Sequence, residues 1–157
     1  MTNIDSRERI AARPLTMTVH SADAREIATV RRELVEWLAG TPLSDERASD
    51  VALACYEAMA NVVEHAYASG MARSFELSAA HHRLAGRIAV TITDHGTWRT
   101  PDSDPGFRGH GMTLLAALSD HADVLTDKNG TVVHLSWELR SPHNAGARCT
   151  GSLHSVR

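Results

Sequence analysis

The sequence predicts an α+β fold, a two-layer sandwich with helices on one face of a mixed, largely antiparallel β-sheet. Helix-like segments carry their apolar residues on one side, and strand-like segments occur in pairs joined by short turns. The chain has 157 residues, of which 43% are hydrophobic and 22% charged, which suits one domain with its own core. We expect this domain at residues 14–140, between a polar arm at 1–13 and a flexible tail at 141–157.

The first part of the chain predicts one strand followed by one helix. Residues 15–20 alternate apolar and polar side chains, the period of a strand with one buried face. Ser21 stands where its hydroxyl can cap the following helix, and Gly40 and Pro42 provide the stop. The apolar residues of this helix recur at a spacing that forms one stripe: Ile27, Val30, Leu34, Trp37 and Leu38.

The longest predicted helix runs from about Asp45 to Ala68, with Ser44 as its N-cap and Ser69-Gly70 at its end. The apolar side of this helix predicts a contact with the core. The polar side is either an ordinary solvated face or part of a functional site. At about 100° per residue, the apolar side holds Ala52, Cys55, Met59, Val62 and Ala66, and the polar side holds Glu57, Asn61, Glu64 and His65.

The second half of the chain predicts two β-hairpins that flank a loop and a third helix. Strand-like alternation covers residues 73–80 and 87–94, joined by a turn at 84–86. A loop rich in Gly, Pro and Asp follows at 95–108, and long ordered loops are often functional. The third helix opens at Gly109. Two further strands, at 122–126 and 131–139, flank residues 127–130, in which Asn-Gly is a strong hairpin signal.

Composition and charge narrow the class of function. The formal net charge is -3, and no basic cluster is larger than Arg31-Arg32, so we expect a protein partner and no direct binding to nucleic acid. No apolar run approaches the roughly 20 residues of a membrane span. Residues 1–8 lack the apolar core of a signal peptide, so we expect a cytoplasmic protein without membrane contact. We expect Cys55 and Cys149 to be reduced thiols, and the ten histidines lack metal-ligand spacing.

Two short segments have the chemistry of a nucleotide site. Asp94 stands at the end of an apolar strand with Gly96 after it, so a carboxylate can accept a hydrogen bond from a ligand amine beside an open backbone. Taken alone, Asp-x-Gly is also an ordinary turn. Gly109 and Gly111 lie at a helix start, where backbone N–H groups can hold phosphate oxygens or where the chain merely needs flexibility.

In their order and approximate spacing, these segments resemble the motifs of the GHKL ATPase superfamily over residues 15–139. The resemblance implies the Bergerat, or histidine-kinase-like, ATPase fold. The form of the N-box is most similar to that of anti-sigma-factor serine/threonine kinases from stress and sporulation switches. The matching segments are Glu57-x-x-x-Asn61 with His65-Ala66-Tyr67 for the N-box, Asp94-His95-Gly96 for the first glycine box, Gly109-His110-Gly111-Met112-x-Leu114-Leu115 for the ATP lid, and Gly130-Thr131-Val132-Val133 for the closing motif.

The resemblance implies a catalytic pair on the second helix. Asn61 would be the Mg²⁺ ligand, because an amide oxygen suits a hard cation that bridges the ATP phosphates. Glu57, one helical turn earlier on the same side, would orient the acceptor hydroxyl and take its proton. His65 would either orient one of these two residues or serve in packing.

The resemblance also implies the residues that bind ATP. Asp94 would accept a hydrogen bond from the adenine amino group, with Gly96 leaving room and Thr131 assisting nearby. The lid would close on the phosphates through backbone N–H groups of its glycines and a positive charge from an arginine. These lid residues are Arg108, Gly109 and Gly111.

The function implied by the resemblance is a switch in transcription regulation. One surface of the protein would hold an alternative sigma factor inactive. With ATP and Mg²⁺, the protein would phosphorylate a Ser or Thr on a small STAS-domain antagonist, which would then be released so that the sigma factor is held again. Relatives in this group are commonly homodimers, so we also expect a homodimer.

Two other functions remain open. Position 98 is Trp where many relatives have a second glycine, and the lid has only two clustered glycines. These departures favour an alternative, a catalytically weak or inactive ATP-binding module that acts by stoichiometric sequestration of its partner. A third function, a free-standing histidine-kinase ATPase module that acts on a His of another protein, fits the form of the N-box less well.

Overall fold

The computed structural model describes residues 13–20, 23–65, 74–96, 107–127 and 129–139. The arm at 1–12, the predicted end of the second helix, residues 97–106 of the loop and the tail at 141–157 lie outside these ranges. Within them, the order of strands and helices is the predicted one. The elements are β1 (Leu15–Val19), α1 (Ala24–Ala39), α2 (Asp45–His65), β2 (Phe75–His82), β3 (Arg87–Asp94), α3 (Phe107–Leu118), β4 (His121–Asp127) and β5 (Gly130–Glu138).

The five strands form one sheet in the order β1-β2-β3-β5-β4. The predicted pairing of residues 73–80 with 87–94 is confirmed, with Leu77 opposite Ile92 and Ala79 opposite Val90. Each pairing between neighbouring strands is antiparallel. The prediction of a largely antiparallel sheet is therefore confirmed, and the part of the sheet that the structure describes holds no parallel pair.

The helices cover one face of the sheet, and the core lies between the two layers. α1 contacts β1, α2 contacts β3, and α3 contacts β4, while α2 also contacts both other helices. The three helices therefore lie over different strands of the sheet, with α2 between α1 and α3. Alternate strand residues bury their side chains against the helices: Val19, Phe75, Leu77, Ala79, Ile88, Val90, Ile92, Val133, Leu135 and Trp137.

Helix α1 is capped by Asp23. Its Oδ1 accepts hydrogen bonds from the N–H groups of Arg25 and Glu26, at 2.8 and 2.9 Å, and so satisfies two open donors of the helix. The prediction that Ser21 caps this helix was wrong, because a cap must immediately precede the first helical residue, which is Ala24. The predicted apolar stripe is buried at Ile27, Val30, Leu34 and Leu38 and half-buried at Trp37.

Helix α2 has the predicted cap and the predicted apolar side. The Ser44 Oγ accepts a hydrogen bond from the N–H of Arg47 at 3.3 Å. Ala66 and the predicted end at Ser69-Gly70 lie outside the residues that the structure describes. None of the described helices is long and apolar enough to cross a lipid bilayer. The buried side of α2 includes four of the predicted core residues, Ala52, Cys55, Met59 and Val62.

Arg47 anchors the start of α2 at one end of the sheet. Its guanidinium donates to both carboxylate oxygens of Asp120, two residues after α3, and to the C=O of Glu138 at the end of β5. The Asp120 carboxylate also accepts from the N–H of Glu138 at 2.7 Å. The indole N–H of Trp137 donates to the C=O of Leu118, the last residue of α3, at 2.7 Å. The start of α2 and the end of α3 are thus held at the same end of β5.

The second hairpin differs in detail from its prediction. Asp127 pairs with Gly130, which is the first residue of β5, so the turn lies between these two residues. The Asn-Gly signal therefore marks the exit from the turn and not its two central positions. Gly130 has a φ of 140°, a conformation that favours glycine.

Candidate functional site

Asp94 and Thr131 form a polar end to an otherwise apolar core. They lie opposite each other on β3 and β5, and are only 1% and 2% exposed. Among the residues that the structure describes, these are the two polar side chains in the buried class. The Oγ1 of Thr131 also lies 3.4 Å from that of Thr126 on β4. Burying a carboxylate costs free energy unless polar groups compensate it. Packing of the core alone therefore does not explain a carboxylate at this position.

The turn after β3 orients the Asp94 carboxylate. The N–H of Gly96 donates to Asp94 Oδ1 at 2.9 Å, and Gly96 is itself buried. The interpretation of Asp-x-Gly as a turn is thus correct for the local geometry. Most turns lie on the protein surface, whereas this one places its carboxylate on the core side of the sheet. The turn therefore fixes one oxygen of a buried acid in place.

Glu57 and Asn61 lie one turn apart on α2, and both are half-buried. Neither side chain has a hydrogen bond or ion pair to another described residue. Arg47 and Asn61 are separated by about 3.9 helical turns, so both lie on nearly the same side of α2. Arg47 contacts Asp120 just after α3, and α3 packs against α2.

α2 and β5 are similar in length between the contact of Arg47 with Glu138 and their predicted site residues. From the anchor at Glu138, β5 extends about 23 Å to Thr131 at 3.3 Å per residue. From the anchor at Arg47, α2 extends about 21 Å to Asn61 at 1.5 Å per residue. Arg47 donates to the C=O of Glu138, so α2 begins at the end of β5 that lies away from Thr131.

The last residue of α3 is held beside Trp137, and the helix starts at Phe107. From its anchor at Leu118, α3 extends about 17 Å back to Phe107, two residues before the predicted start at Gly109. The first four N–H groups of a helix have no partner within it, so Gly109 keeps an open donor, whereas the N–H of Gly111 belongs to the helical ladder. We expected both glycines to donate to phosphate. The helix start favours this role for Gly109 and not for Gly111.

The structure does not describe the side chains of several predicted site residues. For His65 and Arg108 the structure describes the backbone only, in α2 and α3 respectively. Trp98 lies outside the residues that the structure describes.

In the described ranges, no group of three or more His, Cys, Asp or Glu side chains is placed to hold a metal ion. A metal at Asn61 would therefore take most of its ligands from water or from a bound molecule, as Mg²⁺ commonly does.

Gly130 belongs to this site, although the sequence signal indicated only a turn. A Cβ added to Gly130 would lie 1.9 Å from the C=O oxygen of Asp94 and 2.8 Å from the Cα of His95. The start of β5 thus approaches the end of β3 more closely than any side chain allows. The position of Gly130 beside Thr131 is visible in the sequence, but this contact depends on the register between β3 and β5.

A separate groove of about 670 Å³ lies between α1 and α2. Its lining includes Val35 and Tyr56, which are exposed apolar side chains, and Arg31, whose guanidinium lies 5.9 Å from the centre of the Tyr56 ring. Neither Glu57 nor Asn61 lines this groove. The groove is therefore distinct from the polar end of the core.

Comparison with known proteins identifies similar domains. The sequence model of the histidine kinase-like ATPase domain matches residues 20–137. The crystal structure of the RsbU and RsbW domains of Rv1364c from Mycobacterium tuberculosis is 27% identical, with a TM-score of 0.67 over 83% of this chain and 33% of that one. This chain thus spans about a third of the length of the mycobacterial chain.

Two solved structures of a blue-light activated histidine kinase, EL346 from Erythrobacter litoralis, are more distant. The structure of its histidine kinase domain is 17% identical, with a TM-score of 0.50 over 73% of this chain and 60% of that one. A second structure of the kinase is 18% identical, with a TM-score of 0.51 over 73% of this chain and 40% of that one. At these identities the similarity shows a shared fold.

Proposed function

Because the chain belongs to the histidine kinase-like ATPase domain family, we propose that it is an ATP-dependent serine/threonine kinase that also acts as an anti-sigma factor. It holds an alternative sigma factor inactive. It also phosphorylates a STAS-domain protein that opposes its binding to the sigma factor. The observation that supports this proposal is the burial of Asp94 opposite Thr131, in a chain whose second helix carries Glu57 and Asn61 half-buried one turn apart. The 27% identity to a structure with an RsbW domain supports a serine/threonine kinase over a histidine-kinase module.

The residues at this end of the core fit the chemistry of ATP. The Asp94 carboxylate, oriented by the N–H of Gly96, accepts a hydrogen bond from the adenine amino group, and the Thr131 hydroxyl lies beside it. The open N–H groups at the start of α3 suit phosphate oxygens, and Gly109 is among them. The Asn61 amide oxygen would hold Mg²⁺, which would supply positive charge to stabilise the phosphates.

Glu57 is the general base of the proposed reaction. Bound ATP supplies the γ-phosphoryl group. The Glu57 carboxylate orients the Ser or Thr hydroxyl of the antagonist and accepts its proton. Since Glu57 is half-buried, a side chain of a second protein can reach it.

In this proposal, the protein works in the cytoplasm as a homodimer, and residues 14–140 form its ATPase domain. It recognises proteins and makes no direct contact with nucleic acid or membrane. Light scattering of the purified chain is expected to give twice the mass of the 17.0 kDa monomer. A monomer at all concentrations would remove the homodimer from the proposal and leave the kinase reaction to be judged separately.

Transfer of labelled phosphate from ATP-Mg²⁺ to a panel of purified STAS-domain proteins tests the kinase reaction. The wild type is expected to label at least one of them on Ser or Thr. Glu57→Gln is expected to reduce the transfer rate by about 100-fold or more, the usual contribution of a general base. ATP affinity, measured by calorimetry, should stay within about twofold, because the base acts in the chemical step.

Glu46→Gln is the matched control for this experiment. Glu46 is an exposed carboxylate in the first turn of the same helix, near the Arg47 anchor, so its loss is expected to leave phosphate transfer unchanged. Undiminished transfer by Glu57→Gln would exclude Glu57 as the base. If the wild type binds no ATP at millimolar nucleotide, the kinase proposal fails, and stoichiometric sequestration without ATP becomes the function to test.

A further inference from the structure

We infer that Gly130 is a positioning residue that makes the site selective for adenine, by fixing where the backbone of Asp94 lies. This inference rests on the proposed ATP function. Gly130 is buried at the start of β5, next to Thr131, whose partner across the ladder is Asp94. It therefore lies behind the carboxylate that is proposed to recognise the base.

The argument is steric. A Cβ on Gly130 would lie 1.9 Å from the Asp94 C=O oxygen, 2.8 Å from its carbonyl carbon and 2.8 Å from the Cα of His95. Contacts under 3.0 Å are essentially absent for real Cβ atoms. All three neighbours are backbone atoms, so no flexible side chain can move aside. Any larger residue at position 130 therefore pushes the peptide between Asp94 and His95 away by roughly 1 Å, and a misplacement of this size in an enzyme site can cost about 100-fold in rate.

The displaced peptide belongs to the turn that orients the carboxylate. Asp94 Oδ1 accepts from the N–H of Gly96 at 2.9 Å, and that hydrogen bond spans the same peptide. When the peptide moves, the acceptor moves away from the adenine amino group. Guanine carries a carbonyl oxygen in place of that amino group, so a carboxylate placed for the adenine amino group receives no hydrogen bond from this position of guanine. The expected loss is therefore of ATP affinity and of the preference for ATP over GTP together.

The matched control for Gly130→Ala is Gly86→Ala. Gly86 also has a positive φ, 61°, but a Cβ at this position meets nothing within 4 Å. It lies in the turn between β2 and β3, where its N–H donates to the C=O of Arg83. Gly86→Ala introduces a side chain at a positive φ without a clash, whereas Gly130→Ala adds the clash with Asp94.

Two measurements on the full-length chain test the inference. Amide hydrogen exchange in the nucleotide-free protein reports the Gly96 N–H, and calorimetry gives the affinities for ATP and GTP. Gly130→Ala is expected to accelerate exchange at Gly96 at least about 10-fold, weaken ATP binding about 10- to 100-fold and bring the ATP/GTP ratio close to one. Gly86→Ala is expected to leave all three within about twofold of the wild type.

The outcomes separate this inference from the proposed function. Unchanged Gly96 exchange in Gly130→Ala, or an unchanged ATP/GTP ratio where ATP is bound, would overturn the positioning role. If the wild type binds no ATP, the proposed function and the adenine selectivity fail together, whereas Gly96 exchange still shows whether Gly130 holds the Asp94 turn.

A second variant covers the case in which Gly130→Ala does not fold. His95→Gly gives the displaced peptide more conformational freedom, so Gly130→Ala with His95→Gly is expected to fold and to show the same loss of ATP preference relative to His95→Gly alone. Equal nucleotide preference in these two proteins would contradict the inference. Failure of the double variant to fold would also contradict it, because Gly130 would then be required for the sheet itself.

Discussion

Asp94 on β3 lies directly opposite Thr131 on β5, at the point where the core face of these two strands changes from apolar to polar. The pairs further along the same face, Val90 with Leu135 and Ile92 with Val133, are buried and apolar. Packing would favour another apolar pair at the Asp94 position, since burying a carboxylate costs free energy. We propose that the polar pair serves to recognise a ligand, and the predictions for this end of the molecule begin from it.

Replacing Asp94 with Asn is expected to weaken ATP binding about 10- to 100-fold, which corresponds to the roughly 1.5–3 kcal/mol of a hydrogen bond to a charged group. The side chain keeps its shape, so the thermal midpoint should change little. Calorimetry with ATP measures the effect. Asp123→Asn, at an exposed position of β4, is the control and is expected to bind ATP normally. An affinity for Asp94→Asn within twofold of the wild type would show that this carboxylate does not read the base.

Asn61 is predicted to contribute the part of ATP affinity that depends on Mg²⁺. Asn61→Leu removes the amide oxygen at similar volume, so ATP binding in Mg²⁺ is expected to fall to the level measured in EDTA. Asn61→Asp keeps an oxygen ligand and should retain a dependence on Mg²⁺. Calorimetric titrations with and without the metal measure both. A Leu variant whose affinity still responds fully to Mg²⁺ would place the metal ligand elsewhere.

The contact between Arg47 and Asp120 is predicted to stabilise the fold at the end opposite the site. The two side chains are 29% and 28% exposed, so we expect a coupling free energy of at most about 1 kcal/mol. A double-mutant cycle with Arg47→Ala and Asp120→Ala, measured by urea unfolding, gives this value. It should decrease at high salt, because partly exposed charges are screened. Arg87→Ala is the single-site control, and a cycle with no coupling at low salt would contradict the prediction.

Cys55 is predicted to make stability fall at alkaline pH. Burial raises the pKa of its thiol from 9.0 to about 12. Between these values the unfolded chain releases a proton that the folded chain retains, so the free energy of unfolding decreases as pH rises, by at most about 1.4 kcal/mol per pH unit. Below pH 9.0 both states hold the proton, and this effect is absent.

Urea unfolding of the wild type and Cys55→Ala across this pH range checks the prediction. The alanine variant has a constant cost from the lost sulfur contacts, so its disadvantage should shrink as pH rises. Cys149→Ser, in the expected tail, serves as the control and should follow the wild type. A difference between wild type and Cys55→Ala that is the same at every pH would contradict the burial effect on this thiol.

Local periodicity was sufficient for most of the fold. The strand alternation around Leu77 and Val90 and the apolar side of α2 at Cys55 and Met59 were predicted correctly, because each depends on residues within one element. The residue that caps α1 was not predicted correctly. Ser21 and Asp23 both have capping side chains, and the position at which the chain leaves β1 and starts the helix decides between them.

For the site, the sequence by itself determined which side chains have the necessary chemistry: the carboxylates of Glu57 and Asp94, the amide of Asn61 and the hydroxyl of Thr131. Only the tertiary structure decided that Asp94 is buried opposite Thr131, and that Gly130 must lack a side chain because the Asp94 backbone occupies that space. The physical reason is that motifs report chemistry carried by neighbours in the chain. Burial and close approach depend instead on strand register and helix anchoring, which join residues distant in sequence.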